Sequence, residues 1–521
     1  MLSTLRKITR TRLGPPGMRL STTCRGMPID LQDIFKYTNG HFLVDEERQF
    51  SRRYVRFDLD ALCDIAAGAG GTPSHVTAIE KMEGGFSKAL LMQKANGTGV
   101  IAKIPCRIAG PPSLTTTTEV AVLEYVRRNT SIPVPAVLSW SSDSSNTVGA
   151  EYILMEKAAG VPLFQRWGEM TEYAKLQLII DQNRAAIRFP SYGGLYLRTE
   201  TSRSTRPSIM KSIQPSLSRL DLLVIDHLIL ILRQNLAEVL RELSRISIER
   251  QNSQASFYKG TISQQRQLLE ITADLMKLLD SNKILKEARQ PTLWHTDLHM
   301  GNIFVAPDDS SRIVSLIDFQ SIGVLPAFLQ TQWPVFLRPP QNYNYVKGIF
   351  QPKLPDNFDE LGEDGQALAL HELSQVKLAK AYEVSTYLEN RVAHNAMNVP
   401  RVFRELFTRC GEVSEVGIVP LRACLIEISQ NWAHLRFSGE CPFSFSRDDI
   451  DAHERHFAEY EAWYEVRALA QECLDTDAEG WIAPQLDIDE KRRQNEELKA
   501  LYVEKASGEY SAEQAEAMWP F

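Results

Sequence analysis

Four polar residues in the second half of the chain, His295, Asp297, Asn302 and Asp318, have the types and order that phosphoryl transfer from a magnesium nucleotide requires. They sit in the segments Leu293-Trp-His-Thr-Asp-Leu-His-Met-Gly-Asn-Ile-Phe-Val and Ile317-Asp-Phe-Gln. Asp297 can accept a proton from a substrate hydroxyl, and Asn302 with Asp318 offers hard oxygen ligands for Mg²⁺. Apolar runs flank both segments, which predicts that the polar residues are held at strand ends. A lone H-x-D is common in cores and turns. Asn302 at its offset, and a second apolar-flanked aspartate 16 residues further on, make the set specific. His299 and Gly301 read as residues that shape the loop. A zinc site at His295 and His299 lacks a third ligand at metal-site spacing.

Such chemistry involves little covalent participation by the protein, so positive charge and positioning must come from upstream. Thr98 to Ile104 is a short β-prone run ending near Pro105, and Lys103 within it is the candidate for the nucleotide α/β-phosphates. A lysine buried on a strand needs a partner. After a run of four threonines, an amphipathic helix begins at Glu119, which is the expected partner, with Glu124 in reserve. Earlier still, Glu83-Gly84-Gly85-Phe86-Ser87 could lay its backbone amides close over phosphates, although paired glycines also make ordinary hairpin turns. A further strand, Glu151 to Glu156, runs into the loop Lys157-Ala158-Ala159-Gly160, where Glu156 and Ala158 could offer backbone hydrogen bonds to adenine.

These motifs, in this order across residues 80 to 325, resemble the aminoglycoside phosphotransferase and choline kinase branch of the protein-kinase-like superfamily. Over nearly its full length the chain is also similar to a fungal mitochondrial group named for altered inheritance of mitochondria. That second likeness rests on the leader, on Asp-Ile-Phe-Lys-Tyr-Thr-Asn-Gly near the start, and on Gln-Trp-Pro-Val-Phe-Leu-Arg-Pro-Pro after Asp318. The resemblance implies an α+β, bilobal protein-kinase-like fold with a small antiparallel-sheet N-lobe and a large, mainly helical C-lobe. It also implies ATP and Mg²⁺ as cofactors, and a small hydroxyl-bearing molecule as acceptor. Asp297 would be the proton acceptor, Asn302 and Asp318 the metal ligands, and Lys103 the phosphate-binding partner of Glu119. Two departures from protein kinases, Thr296 for arginine and Phe319-Gln320 for Phe-Gly, are usual in small-molecule phosphotransferases. No Ala-Pro-Glu segment follows Asp318. The alternative from another class is a nucleotide-binding pseudokinase or interaction protein without transfer activity.

Residues 1–29 carry six basic residues and no acid, and are rich in Ser and Thr, the composition of a mitochondrial transit peptide for delivery to the matrix. Without them the formal net charge would go from −7 to −13, which argues against general nucleic-acid binding. No apolar run reaches the roughly 20 residues that span a bilayer. Seven cysteines without a C-x-x-C read as reduced thiols.

The expected organisation is an extension at 30–74, the small lobe at 75–155 and the helical lobe from 156 to the end. An insertion of unassigned role spans about 192–289 and holds two expected helices, at 216–246 and 264–286. Further helices are expected at 170–189, 365–394, 400–410, 420–434 and 448–473, and Trp432 and Trp463 should fill core. The charged run from Asp487 reads as a solvated helix.

Overall fold

The computed structural model describes residues 20–183, 187–188, 195–197, 220–222, 257–340 and 352–521. The small lobe is built on a seven-stranded sheet. Its order is Met27–Pro28, Ser21–Cys24, Val76–Glu83, Ser87–Lys94, Gly99–Pro105, Tyr152–Glu156 and Val137–Ser141. Every pairing is antiparallel except that of Ser21–Cys24 with Val76–Glu83. Alternate side chains of a strand face opposite sides, and the Gly99–Pro105 strand uses both. Val100, Ala102 and Ile104 pack with Leu62, Ala66, Ile79, Leu90, Met92 and Leu154 beneath the Leu59–Gly68 helix. Ile101 faces the other way, into a core with Val120, Leu123, Ile153 and Met155 that includes the Leu114–Asn129 helix. The same parity sends Lys103 to that helix side.

The second core runs on without a break to Leu293, Ile303, Val305, Leu316 and Phe319, which ties the helix to the hairpin formed by Ile303–Val305 and Ile313–Leu316. The larger lobe is helical. Ile262–Leu279, Arg401–Val416 and Val419–Gln430 bury Leu269, Leu275, Phe403, Leu406, Leu425 and Ile428 in its core. Gly417, at φ +89°, joins the last two of these helices. A Cβ there would meet the Lys259 backbone at 2.6 Å, so only glycine fits. Trp432 is buried and stacks on Phe437 at 4.1 Å, and Trp463 packs against Phe257.

Helices at Glu363–Glu389, Arg391–Met397 and Arg447–Leu474 stand close to the expected ranges. Glu172–Asn183 covers the first part of the helix expected at 170–189, but Ile187–Arg188, placed in the same helix, is a strand paired with Thr292 and Leu293. The charged C-terminal helix is Ile488–Ala506, capped by the Asp487 carboxylate, which accepts from the amides of Asp489 and Glu490. A second helix expectation is corrected as well. Leu220–Leu222, expected within the helix 216–246, is a strand paired with Leu195–Leu197; 223–246 and 216–219 lie outside the described residues. Ser21–Cys24 and Met27–Pro28, within the stretch expected as a leader, lie at the sheet edge, with Thr22 donating to Ile29 O at 2.7 Å.

All seven cysteines are free. Burial pushes the thiol of Cys410 up to about 11 and that of Cys424 up to about 12, whereas Cys473 is exposed. A thiol reagent at pH 8 is therefore expected to modify Cys473 first, and Cys410 and Cys424 only after unfolding. Rapid native labelling of Cys424, read by mass spectrometry, would contradict the packing described here.

Among the described residues, no helix is long and apolar enough to cross a membrane.

Candidate active site

Lys103 lies on the Gly99–Pro105 strand and Glu119 on the second turn of the Leu114–Asn129 helix, which starts before the four threonines expected to precede it and takes them in. The Lys103 ammonium donates to Glu119 Oε1 at 2.7 Å. It also donates to Asp318 Oδ1 at 2.7 Å, across 215 residues of sequence. The lysine and Glu119 side chains are buried, and Asp318 is 39% exposed. Glu124, the reserve partner, pairs with Arg128 at 2.6 Å one helical turn away.

Burial works against charge on all three groups. At Lys103 it is outweighed by the charges of Glu119 and Asp318, which raise the ammonium above its ordinary pKa. At Asp318 it is outweighed by Lys103, which holds the carboxyl below the usual range. At Glu119 burial prevails over the lysine and lifts the carboxyl. The exposed partner therefore keeps its negative charge, on the side that solvent or a ligand can reach.

The loop from His295 to Asn302 is tied to the Asp318 segment by backbone. Antiparallel pairing sets Ile303 opposite Leu316, and Ile317 N donates to Asn302 O at 3.1 Å, so Asn302 and Asp318 emerge from the same end of one hairpin. The Asn302 amide nitrogen donates to Asp297 O at 2.9 Å, which leaves the amide oxygen as the atom for a cation. His299 N also donates to Asp297 O, at 3.1 Å, and Gly301 N donates to His299 Nδ1 at 3.0 Å, so His299 and Gly301 shape the turn. With its main chain fixed in this way, Asp297 is an exposed residue.

His295 donates from Nε2 to Ile317 O at 2.9 Å and packs edge-on against Phe319. Burial pushes its pKa down, and its buried Nδ1 has no hydrogen-bond partner among the described residues, so the ring is neutral and serves to fasten the loop to the strand before Asp318. Asp318 itself has φ +64°, the left-handed region, which aspartate tolerates better than most residues and which recurs at functional sites.

Gly84 and Gly85 connect Val76–Glu83 to Ser87–Lys94, with Gly84 N donating to Ser87 O at 3.2 Å. Neither glycine has the positive φ that would demand glycine, and a Cβ on either would meet nothing within 4 Å among the described residues, whose packing gives no reason for glycine at either position. Glu156 N donates to Ala136 O at 2.9 Å, and the Glu156 side chain accepts from Ala136 N at 3.1 Å. The Glu156 amide and one of its carboxylate oxygens are thus engaged within the protein, and Ala158 lies two residues further along the loop.

Residues 229–328, which contain His295, Asp297, Asn302 and Asp318, match the phosphotransferase enzyme family. This stretch of the chain is similar to that family. Relatives of the whole chain include a subtelomeric hrmA-associated cluster protein of Aspergillus fumigatus, 28% identical over 84% of this chain and 94% of the relative. Altered inheritance of mitochondria protein 9, mitochondrial, of Yarrowia lipolytica is 23% identical over 86% of this chain and 84% of the relative. Among solved structures, the ethanolamine kinase of Plasmodium vivax is 10% identical, covering 73% of this chain and 81% of that one, with a TM-score of 0.34.

One pair of residues near the site went unnoticed in the sequence. Arg53 donates from Nε to Gly85 O at 3.1 Å and pairs with Glu479 at 2.6 Å. A lone arginine and a lone glutamate 426 residues apart carry no signal of such a contact.

Proposed function

We propose that this chain transfers a phosphoryl group from Mg-ATP to a hydroxyl of a small molecule, and that it does so in mitochondria. The observation that carries the reading is Lys103 bridging Glu119 and Asp318, one cation shared between the two lobes at 2.7 Å on each side. In this reading Lys103 binds the α/β-phosphates, and Glu119 keeps the ammonium in place. The amides of the Gly84, Gly85 and Ser87 segment cover the phosphates, and the Glu156 carbonyl with the Ala158 amide meets adenine. Asp297 orients the acceptor hydroxyl and takes its proton, while His295 positions the loop that carries it. The donor set at the hairpin end, one carboxylate and one amide oxygen, fits a hard cation, so Asn302 and Asp318 would hold Mg²⁺. When bound, Mg²⁺ supplies charge neutralisation for the phosphate oxygens. The mitochondrial part rests on the basic, Ser/Thr-rich residues 1–19 and on the name of the Yarrowia relative.

Titration with ATP, with and without Mg²⁺, tests the assignment. Wild type is expected to bind more tightly with the metal, and Asp318→Ala is expected to lose that dependence together with about tenfold or more in affinity. Equal, metal-independent binding by the two proteins would refute the metal role of Asp318.

A further inference from the structure

The two terminal extensions meet beside the glycine loop. The Trp481–Ile482 strand pairs with His41–Phe42, Leu43 N donates to Gly480 O at 2.8 Å, and Trp481 Nε1 donates to Asn39 O at 2.7 Å. Gly40, at φ +111°, allows this approach, because a Cβ there would stand 2.3 Å from Ile482 O. Arg492 pairs with Glu46 at 2.7 Å, and Glu46 also meets His41 at 2.8 Å.

At the inner end of this junction lies Arg53, whose side chain is 3% exposed. Its guanidinium sits over the Phe42 ring at 4.7 Å and donates to Gln49 Oε1 at 2.5 Å, to Glu479 Oε2 at 2.6 Å and to Gly85 O at 3.1 Å. Glu479 is fixed in turn, since its amide donates to Asp477 Oδ1 at 2.8 Å. The strand flanking the loop is anchored as well. Lys88 and Lys81 both pair with the buried Glu83, at 2.5 Å and 2.9 Å, and both donate to Lys36 O in the N-terminal extension. In a trans peptide the carbonyl and the following amide point in opposite directions. A grip on Gly85 O from the extension side therefore turns the Phe86 N–H to the opposite side of the loop.

The geometry points to Arg53 as a positioning residue that couples the C-terminal extension to the phosphate-covering loop, so that the Glu479 contact sets nucleotide affinity. This rests on the nucleotide reading given above. A guanidinium reaches Gly85, Gln49 and Glu479 through separate nitrogens held in a rigid planar fork, whereas a lysine's three donors radiate from one atom and cannot span the same acceptors in the same geometry.

The full chain is compared as wild type, Glu479→Gln, Arg53→Lys and Arg53→Ala. The measurements are amide hydrogen exchange at residues 84–87, Mg-ATP affinity and thermal midpoint. Glu479→Gln and Arg53→Lys are expected to speed exchange at 84–87 by about tenfold and to weaken Mg-ATP by a similar factor. Exchange along the rest of the Val76–Pro105 strands and the midpoint should stay near wild type for Glu479→Gln, the milder change. Unchanged exchange at 84–87 in both Arg53 variants and in Glu479→Gln would overturn the coupling. So would faster exchange spread evenly over those strands with a lowered midpoint, which marks a merely structural role. Faster loop exchange with unaltered Mg-ATP affinity would overturn the link to affinity. Should wild type bind no nucleotide, the function proposed above fails, while loop exchange, which needs no nucleotide, still decides the coupling.

Discussion

Asp297→Asn is expected to lower turnover about 10²–10⁴-fold while Mg-ATP affinity stays near that of wild type. The substitution keeps shape and removes the ability to accept a proton. The contacts that hold the loop use the backbone carbonyl of residue 297, which accepts from Asn302 Nδ2 and His299 N, and these survive the change. The effect should therefore fall on the chemical step alone, which is the signature of an interaction used in the transition state. ATP hydrolysis without an acceptor gives the first readout. Profiling the purified protein against a metabolite extract with ATP would supply the acceptor for the second. Nucleotide binding without transfer to any acceptor, unaffected by the substitution, would favour a nucleotide-binding protein without transfer activity, whereas equal measurable turnover in the two proteins would remove Asp297 from the chemistry.

Lys103→Met is expected to act on stability and binding together. Removing one partner of a buried pair leaves an uncompensated carboxylate, at a cost of about 3–5 kcal/mol. Most of that should come from Glu119, whose side chain is 4% exposed. Asp318, at 39%, is screened by solvent and contributes less. Adding Glu119→Leu removes the stranded charge and is expected to restore most of the thermal midpoint without restoring Mg-ATP binding. Denaturant unfolding of the single and double variants measures the first effect and nucleotide titration the second. A double variant that recovered binding as well would remove Lys103 from the phosphate site.

How much of this was legible in the sequence depended on sequence distance. The Gly99–Pro105 strand and the Leu114–Asn129 helix were readable because β-prone residues and a run of hydroxyls announce them locally. Glu119 was preferred to Glu124 for its place at the start of the expected helix, and in the structure Glu124 is taken by Arg128 one turn away. The hairpin that gathers Asn302 and Asp318 showed as two short apolar runs separated by Asp and Ser residues. The sharing of Lys103 between Glu119 and Asp318 was only half visible, because spacing gives order along the chain and no distance in space.

The terminal extensions were the least legible part. Strands of two residues, such as His41–Phe42 and Trp481–Ile482, have no period to detect. Ser21–Cys24 lies in the basic stretch expected as a leader, where composition gives no sign of strand pairing. Leu220–Leu222 was read as helix because a short apolar run fits either period, and only pairing with Leu195–Leu197 decides between them.

The pairing of His41–Phe42 with Trp481–Ile482 sets a timetable for biosynthesis. The second strand leaves the ribosome only after more than 400 further residues have been added, since the Trp481-to-Asn39 contact alone spans 442 positions. At roughly 5–20 residues per second, that interval is about 20–90 s. Throughout it the aromatic cluster of Tyr37, Phe42 and Phe50 lacks its C-terminal cover. Nascent chains arrested before residue 475 should accordingly be bound by chaperones that recognise apolar segments, and released once the last 40 or so residues emerge.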